Sequence, residues 1–273
     1  MKKLEEKCLD KVSVIMTTYN SMNTFLESFH SVSEQNYGNI EVVIIDGAST
    51  DGTVDLIQQV VRESFGRTGF SVTWISEPDH GIYEAMNKGI KRSSGDIIGV
   101  MNDRFTRKDA LFSMVSAITS SEADGVHADL IYSANGHCVR YWHMGDGNWK
   151  NRHYGSILTG WMPAHPTLYL RRSVYEQYGL YDMTLHSSAD YEFMLKILSG
   201  KMGEPVRLAY IPEVLVDMYY GGTSSNGFSG YLQNTREAYR ALVKEGVHPA
   251  WFVIACRGAR TLLQFHQAKK YDA

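Results

Sequence analysis

The sequence predicts an α/β protein: a mostly parallel central sheet flanked by helices, followed by a smaller mixed sheet and C-terminal helices. Three observations predict it. Short β-branched runs alternate with amphipathic helical stretches over about the first 120 residues, as in a parallel sheet covered on both faces. Each of those runs ends in a polar loop, where open α/β sheets bind their ligands. Beyond Gly125 the pattern becomes short and aromatic, with turn signals where crossover helices stood before.

The elements follow in order. Val12 to Met16 is an apolar run between polar residues and reads as a buried strand. Asn23 to Gln35 carries Phe25, Phe29 and Val32 at helical spacing. Glu41 to Asp46 is a second strand, and it runs into Asp46 to Thr53, a loop dense in turn and N-cap residues. Val54, Ile57, Val60 and Val61 mark the next helix, and Val72 to Ile75 a third strand. Tyr83 to Arg92 is helical and closes at Ser93-Ser94-Gly95. Ile97 to Met101 is a fourth strand and Ala110 to Ile118 a fourth helix. In the second half, turns fall at Ala134-Asn135-Gly136 and Gly145-Asp146-Gly147. Helices are expected at Ser173 to Tyr178, Asp190 to Leu198, Tyr231 to Gly246 and Pro249 to Gln267, and a strand from Arg207 to Tyr219. Gly221 to Gly227 favours neither helix nor strand.

Composition narrows the function. The 273 residues hold 27 Lys+Arg and 30 Asp+Glu, a net charge of −3, with 44% hydrophobic and 21% charged residues. This is a globular chain without the broad basic footprint of a nucleic-acid binder. Cys8, Cys138 and Cys256 are far apart and lack zinc spacing, so they read as reduced thiols of a cytoplasmic protein. The stretch Met1 to Lys11 is charged and lacks the apolar run expected of a signal peptide, and no run reaches the roughly 18 apolar residues of a membrane span. The first strand ends in Thr17-Thr18-Tyr19-Asn20 where a dinucleotide-binding domain would carry GxGxxG, and a Walker A loop is also missing. A nucleotide still suits the chemistry: Tyr19 can cover a base face, and Asp46 can accept from a base N–H or a ribose hydroxyl.

Val14-Ile-Met-Thr-Thr-Tyr-Asn20, Val43-Ile-Ile-Asp-Gly-Ala-Ser-Thr-Asp-Gly-Thr53 and Glu77-Pro-Asp-His-Gly-Ile-Tyr-Glu-Ala-Met-Asn-Lys-Gly-Ile90 together resemble the family 2 glycosyltransferases of the GT-A fold. The likeness resumes at His165-Pro-Thr-Leu-Tyr-Leu-Arg-Arg-Ser173 and Ser188-Ala-Asp-Tyr-Glu192. It implies an inverting transferase that uses a nucleotide-diphosphate sugar, with UDP as the expected nucleotide. The acceptor would be a glycan or a lipid-linked saccharide, in bacterial surface-polysaccharide synthesis. Residues 1–123 would be the donor-binding half and 124–273 the acceptor-binding half, packed as one compact domain.

The resemblance assigns Thr17, Tyr19, Asp46 and Asp51 to the donor nucleotide, and Asp79 and Lys88 to the same region. Asp51 also reads as a helix cap, and Lys88 as a solvated helix residue. At the fourth strand end the family pattern is Asn, a small residue, then two Asp. This chain has Asn102-Asp103-Arg104-Phe105 instead. The resemblance places Asn102, Asp103 and Arg104 at the donor diphosphate, with Asp103 the candidate ligand for Mn²⁺ or Mg²⁺, hard cations that take oxygen ligands. Arg104 could instead neutralise the diphosphate by a bidentate contact, or the departure could leave a nucleotide-sugar-binding module without turnover. Asp190 matches the catalytic base, with a first-turn acid favoured by the helix dipole as the alternative and Glu192 as a backup. His165 could reach the diphosphate, the acceptor or a metal, or simply fix a turn. Gly221 to Ser225 could close over the phosphates or be a plain connecting loop, and Tyr141, Trp142 and Trp149 could line an acceptor groove or belong to the core. The last helix could rest on the inner membrane face, or pack in the core or against a second copy.

Overall fold

The protein is described by a computed structural model, which covers residues 9–145, 157–221 and 227–271. Four parallel strands form one side of the sheet: β1 (Val12–Thr18), β2 (Ile40–Asp46), β3 (Phe70–Ser76) and β4 (Ile97–Val100), in the order β3-β2-β1-β4. Helices α1 (Phe25–Ser33), α2 (Thr53–Ser64) and α3 (Ile82–Arg92) follow the first three strands. The register pairs Thr18 with Asp46 and Asp46 with Ser76, so three strands end flush on one edge.

The pleat assigns side chains to two cores. Val12, Val14 and Met16 pack with Phe25, Phe29, Ile57 and Val60 on the α1–α2 face. Ile15, Val43 and Ile45 face Met86 and Ile90 of α3 on the other. Alternation along one strand thus feeds both layers, and each fully buried aliphatic side chain contributes roughly 1.5–3 kcal/mol.

Beyond β4 come β5 (Arg104–Phe105), α4 (Ala110–Ser120), β6 (Gly125–Ala134), β7 (His137–Trp142), β8 (Tyr169–Arg171), α5 (Arg172–Tyr178), α6 (Ala189–Leu198), β9 (Leu208–Tyr219), α7 (Gly227–Lys244) and α8 (Ala250–Tyr271). The expected smaller mixed sheet is continuous with the parallel one. Among the described residues there are nine strands, in the order β3-β2-β1-β4-β8-β6-β9-β5 with β7 on β6. The antiparallel β4–β8 pair is the junction. It needs Gly99, because a Cβ there would sit 2.3 Å from the Tyr169 ring.

β6 and β7 form the hairpin expected at Asn135-Gly136. The β6–β9 register shifts around Pro212, which has no N–H to give the ladder. β5 and β8 escape sequence reading, because two or three residues carry no period and exist as strands only through distant partners.

Candidate functional site

The edge where β1, β2 and β3 end carries two interlocked loops. The Asn20 N–H donates to Ser49 Oγ at 2.8 Å, and the Thr50 N–H donates to Asn20 Oδ1 at 2.9 Å. Asp51 braces the same pair, accepting from the Met22 N–H at 3.0 Å and from the Thr53 hydroxyl at 2.6 Å. These bonds hold Asn20 and Ala48 at φ of +48° and +61°, a left-handed conformation costing on the order of 1–3 kcal/mol each. Between the loops lies Gly47. A Cβ there would come within 2.8 Å of Asp79 Oδ2 and 3.3 Å of the Tyr19 ring. Tyr19 and Asp79 therefore converge over a bare stretch of backbone. Tyr19 is 65% exposed, so its face is open to a ligand.

Asp46 forms the floor beneath this ledge. It is fully buried, and its carboxylate accepts from Ser49 Oγ at 2.5 Å and Ser76 Oγ at 2.6 Å. Lys88 pairs with Glu77 and Glu84, both at 3.0 Å, so its charge is balanced between α3 and the Glu77 loop.

At the end of β4, Asn102 ties two strands together. Its Oδ1 accepts from the Thr17 N–H, and its Nδ2 donates to Thr17 Oγ1, both at 2.8 Å. Asp103 follows, and burial pushes its carboxyl up to about 6, with nearby Asp217 adding to the effect and the Tyr219 N–H opposing it. Arg104 turns away to Asp217 of β9, donating from Nη2 at 2.6 Å and Nε at 3.0 Å. It also pairs with Glu27 of α1 and stacks 5.0 Å from the Tyr219 ring. Glu27, Asp217 and Tyr219 carry no local sequence signal, since they meet only through the β5–β9 pairing.

Among the described residues no group of three or more His, Cys, Asp or Glu side chains could hold a metal ion. A hard divalent cation takes six or more oxygens. Asp103 fits one held jointly with a bound diphosphate and water, not one caged by protein.

Asp190 stands at the start of α6, half-buried, and its Oδ1 accepts from the Tyr83 hydroxyl of α3 at 2.9 Å. Burial, then the charge of Asp190, raises the Tyr83 phenol far above its ordinary value, so it remains a donor. Tyr132 of β6 joins the two acidic sites: burial raises its phenol, and both Asp103 and Asp190 add to the rise. Both carboxylates thus act on one phenol. His165 shares a 2.7 Å hydrogen bond with the Tyr181 hydroxyl, and burial lowers its pKa while Asp190 opposes the shift. Glu192 points elsewhere. It is fully buried and pairs with Lys244 of α7 at 2.7 Å.

The fold thus gathers Thr17, Tyr19, Asp79, Asn102 and Asp103 at the ends of the parallel strands, while Asp190 is tied to α3 through Tyr83, and His165 through Tyr181 and Asn87. Asp46, Asp51, Lys88 and Arg104 lie in the same region, but their polar atoms are engaged within the protein. Gly222 to Ser225 and Trp149 lie outside the described residues.

A parallel sheet that continues through an antiparallel junction into a mixed half is the architecture of the GT-A class of glycosyltransferase folds. Solved structures agree. TarS from S. aureus in complex with UDP-GlcNAc superposes with a TM-score of 0.67 at 19% identity, over 92% of this chain and 72% of that one. The mannosyltransferase PcManGT from Pyrobaculum calidifontis, in complex with GDP-Man and Mn²⁺, gives 0.62 at 16% identity, over 95% and 74%. The model of glycosyl transferase family 2 matches residues 13–179. An uncharacterized glycosyltransferase of Mycobacterium tuberculosis is 32% identical over 204 residues, 72% of this chain and 71% of the relative. A PGL/p-HBAD biosynthesis glycosyltransferase of Mycobacterium bovis is 25% identical over 218 residues, 78% of each. The chain belongs to glycosyl transferase family 2.

Proposed function

We propose that the protein is an inverting glycosyltransferase that moves a hexosyl group from a nucleotide-diphosphate sugar, with UDP as the nucleotide, to a hydroxyl of a glycan or lipid-linked saccharide of bacterial surface polysaccharide. The observation that carries this reading is Asp190, half-buried and held by the Tyr83 hydroxyl, with its charge and that of Asp103 both acting on the Tyr132 phenol. Tyr19 covers the base, and Asp79 and the Gly47 backbone hold the nucleoside. Asp46 and Asp51 keep that ledge rigid, Lys88 anchors the Asp79 loop, and Asn102 fixes Thr17 beside the diphosphate. Asp103, with the diphosphate, would hold Mn²⁺ or Mg²⁺, which supplies charge neutralisation to the leaving group when bound.

The transfer is a single displacement. The acceptor oxygen attacks the anomeric carbon as the bond to the diphosphate breaks on the opposite face, which inverts the configuration. The acceptor proton passes to Asp190 as general base. Oδ1 is held by the Tyr83 hydroxyl, and no hydrogen bond among the described residues engages Oδ2. Oδ2 is therefore the atom that takes the proton. The neutral His165 imidazole, with Tyr181, walls this side. Arg104 maintains the Asp103 loop through Asp217 and Glu27, in place of the family's second aspartate.

No helix among the described residues is long and apolar enough to cross a membrane. α8 exposes Trp251, Leu262 and Leu263, a surface that suits peripheral contact with a bilayer carrying the acceptor.

The test is Asp190→Asn. Transfer should fall at least 1,000-fold, on the order of the largest general-base effects, while UDP binding by calorimetry stays within about twofold. Retained transfer would remove Asp190 from the mechanism. UDP-sugar binding with no turnover in the unaltered protein would favour a binding module instead.

A further inference from the structure

Several cationic side chains have a carboxylate partner: Lys88 has Glu77 and Glu84, Arg104 has Asp217 and Glu27, and Lys244 has Glu192 and Asp182. Among the described residues Arg140 and Arg257 form no such pair. Arg140 of β7 reaches α8, where its Nε donates to Gln264 Oε1 at 2.6 Å. Its guanidinium lies 4.8 Å from the Tyr132 ring and 4.9 Å from that of Trp142. Arg257 stands two turns before Gln264 on the same side of α8 and stacks 3.8 Å from the Tyr191 ring. Neither forms an ion pair among the described residues, and both are half-buried. They also repel: Arg257 adds to burial in lowering the pKa of Arg140.

Two like charges drawn partly out of water without a counter-ion are costly to the fold. Stacked aromatic faces recover some of that cost but neutralise nothing. The tyrosines they stack on adjoin the acidic residues: the charges of Asp103 and Asp190 act on the Tyr132 phenol, and Tyr191, its ring in the core, follows Asp190 at the start of α6. A guanidinium pair matches a dianion, and the planar fork favours bidentate phosphate oxygens.

We propose that Arg140 and Arg257 form an anion subsite for a phosphate group on the wall of the cleft made by β7 and α8. Its source rests on the glycosyltransferase reading: either the departing diphosphate of the donor, or a phosphate carried by the acceptor beside the reacting hydroxyl.

Thermal shift and calorimetry on the full chain test this, with inorganic phosphate and UDP as probes and chloride at matched ionic strength as control. Phosphate should stabilise the unaltered protein beyond chloride. Arg257→Gln and Arg140→Met should each weaken phosphate binding at least tenfold. Arg140→Met should leave the unliganded Tm unchanged or raised, because it removes an unpaired charge, whereas a purely structural Arg140 would lower it. UDP affinity unchanged in the variants assigns the subsite to an acceptor phosphate; a parallel loss assigns it to the donor diphosphate. A phosphate response no greater than chloride, or variants that keep the full response, overturns the subsite. Failure of the unaltered protein to bind UDP would strike the donor reading while the phosphate result stood.

Discussion

Asp103 shows how one burial changes a side chain's chemistry. Its carboxyl is pushed up to about 6, chiefly because desolvation disfavours the charged form. The folded state then holds this proton more tightly than the unfolded chain. Stability from this group is greatest below its ordinary value near 3.8, declines as pH rises towards 6, and is flat above. Asp103→Asn should remove that decline and raise stability above pH 6 by on the order of 2 kcal/mol, measured by urea unfolding across the range. A hard cation needs the ionised carboxylate. Mn²⁺ affinity in the presence of UDP should therefore rise between about pH 5 and pH 7 and vanish in the variant, read by calorimetry. Tyr83 belongs to the same scale. Tyr83→Phe leaves Asp190 oriented by the helix alone, and kcat should fall by roughly tenfold, the worth of one hydrogen bond to a charged group, with UDP affinity unchanged.

Among the elements, α3 does more than cross over the sheet. Buried Asn87 donates from Nδ2 to the Tyr181 carbonyl at 2.9 Å and accepts from the Tyr181 N–H at 3.0 Å. The same helix thus positions Tyr83 against Asp190 and Tyr181 against His165. Asn87→Ala would leave both backbone groups of Tyr181 unpaired, at a cost of about 2–3 kcal/mol, seen as a lower urea midpoint. The alternation of α3 residues was readable in the sequence. Its partners were not, because Tyr181 and Asp190 lie about a hundred residues on and no local period marks them. Lys88 illustrates the same boundary: its lysine identity suggested a phosphate contact, but Glu84 one turn earlier and Glu77 in the preceding loop consume its charge.

The whole molecule is organised by the β4–β8 junction, which makes one sheet of two halves of different style. Unfolding should accordingly follow one cooperative transition, with circular dichroism and tryptophan fluorescence giving coincident midpoints. Gly99→Ala attacks the seam directly, driving a methyl into the Tyr169 ring. It should cost about 1–3 kcal/mol, the usual penalty of overpacking, and lower both probes' midpoints together. A separation of the two curves in the unaltered protein would count against one cooperative unit.

The sequence by itself determined the α/β class, the parallel order of strands and crossover helices, and the polar loops at strand ends. Those features rest on local periods and turn chemistry, which are written within a few residues of where they act. Only the tertiary structure decided that Asp46 is a floor rather than a wall, that Arg104 answers to Asp217, that Glu192 faces α7, and that Asp103 and Asp190 both act on Tyr132. Each depends on a partner from 30 to more than 100 residues away, and a side chain's charge and reach acquire a function only once folding has fixed what stands opposite it.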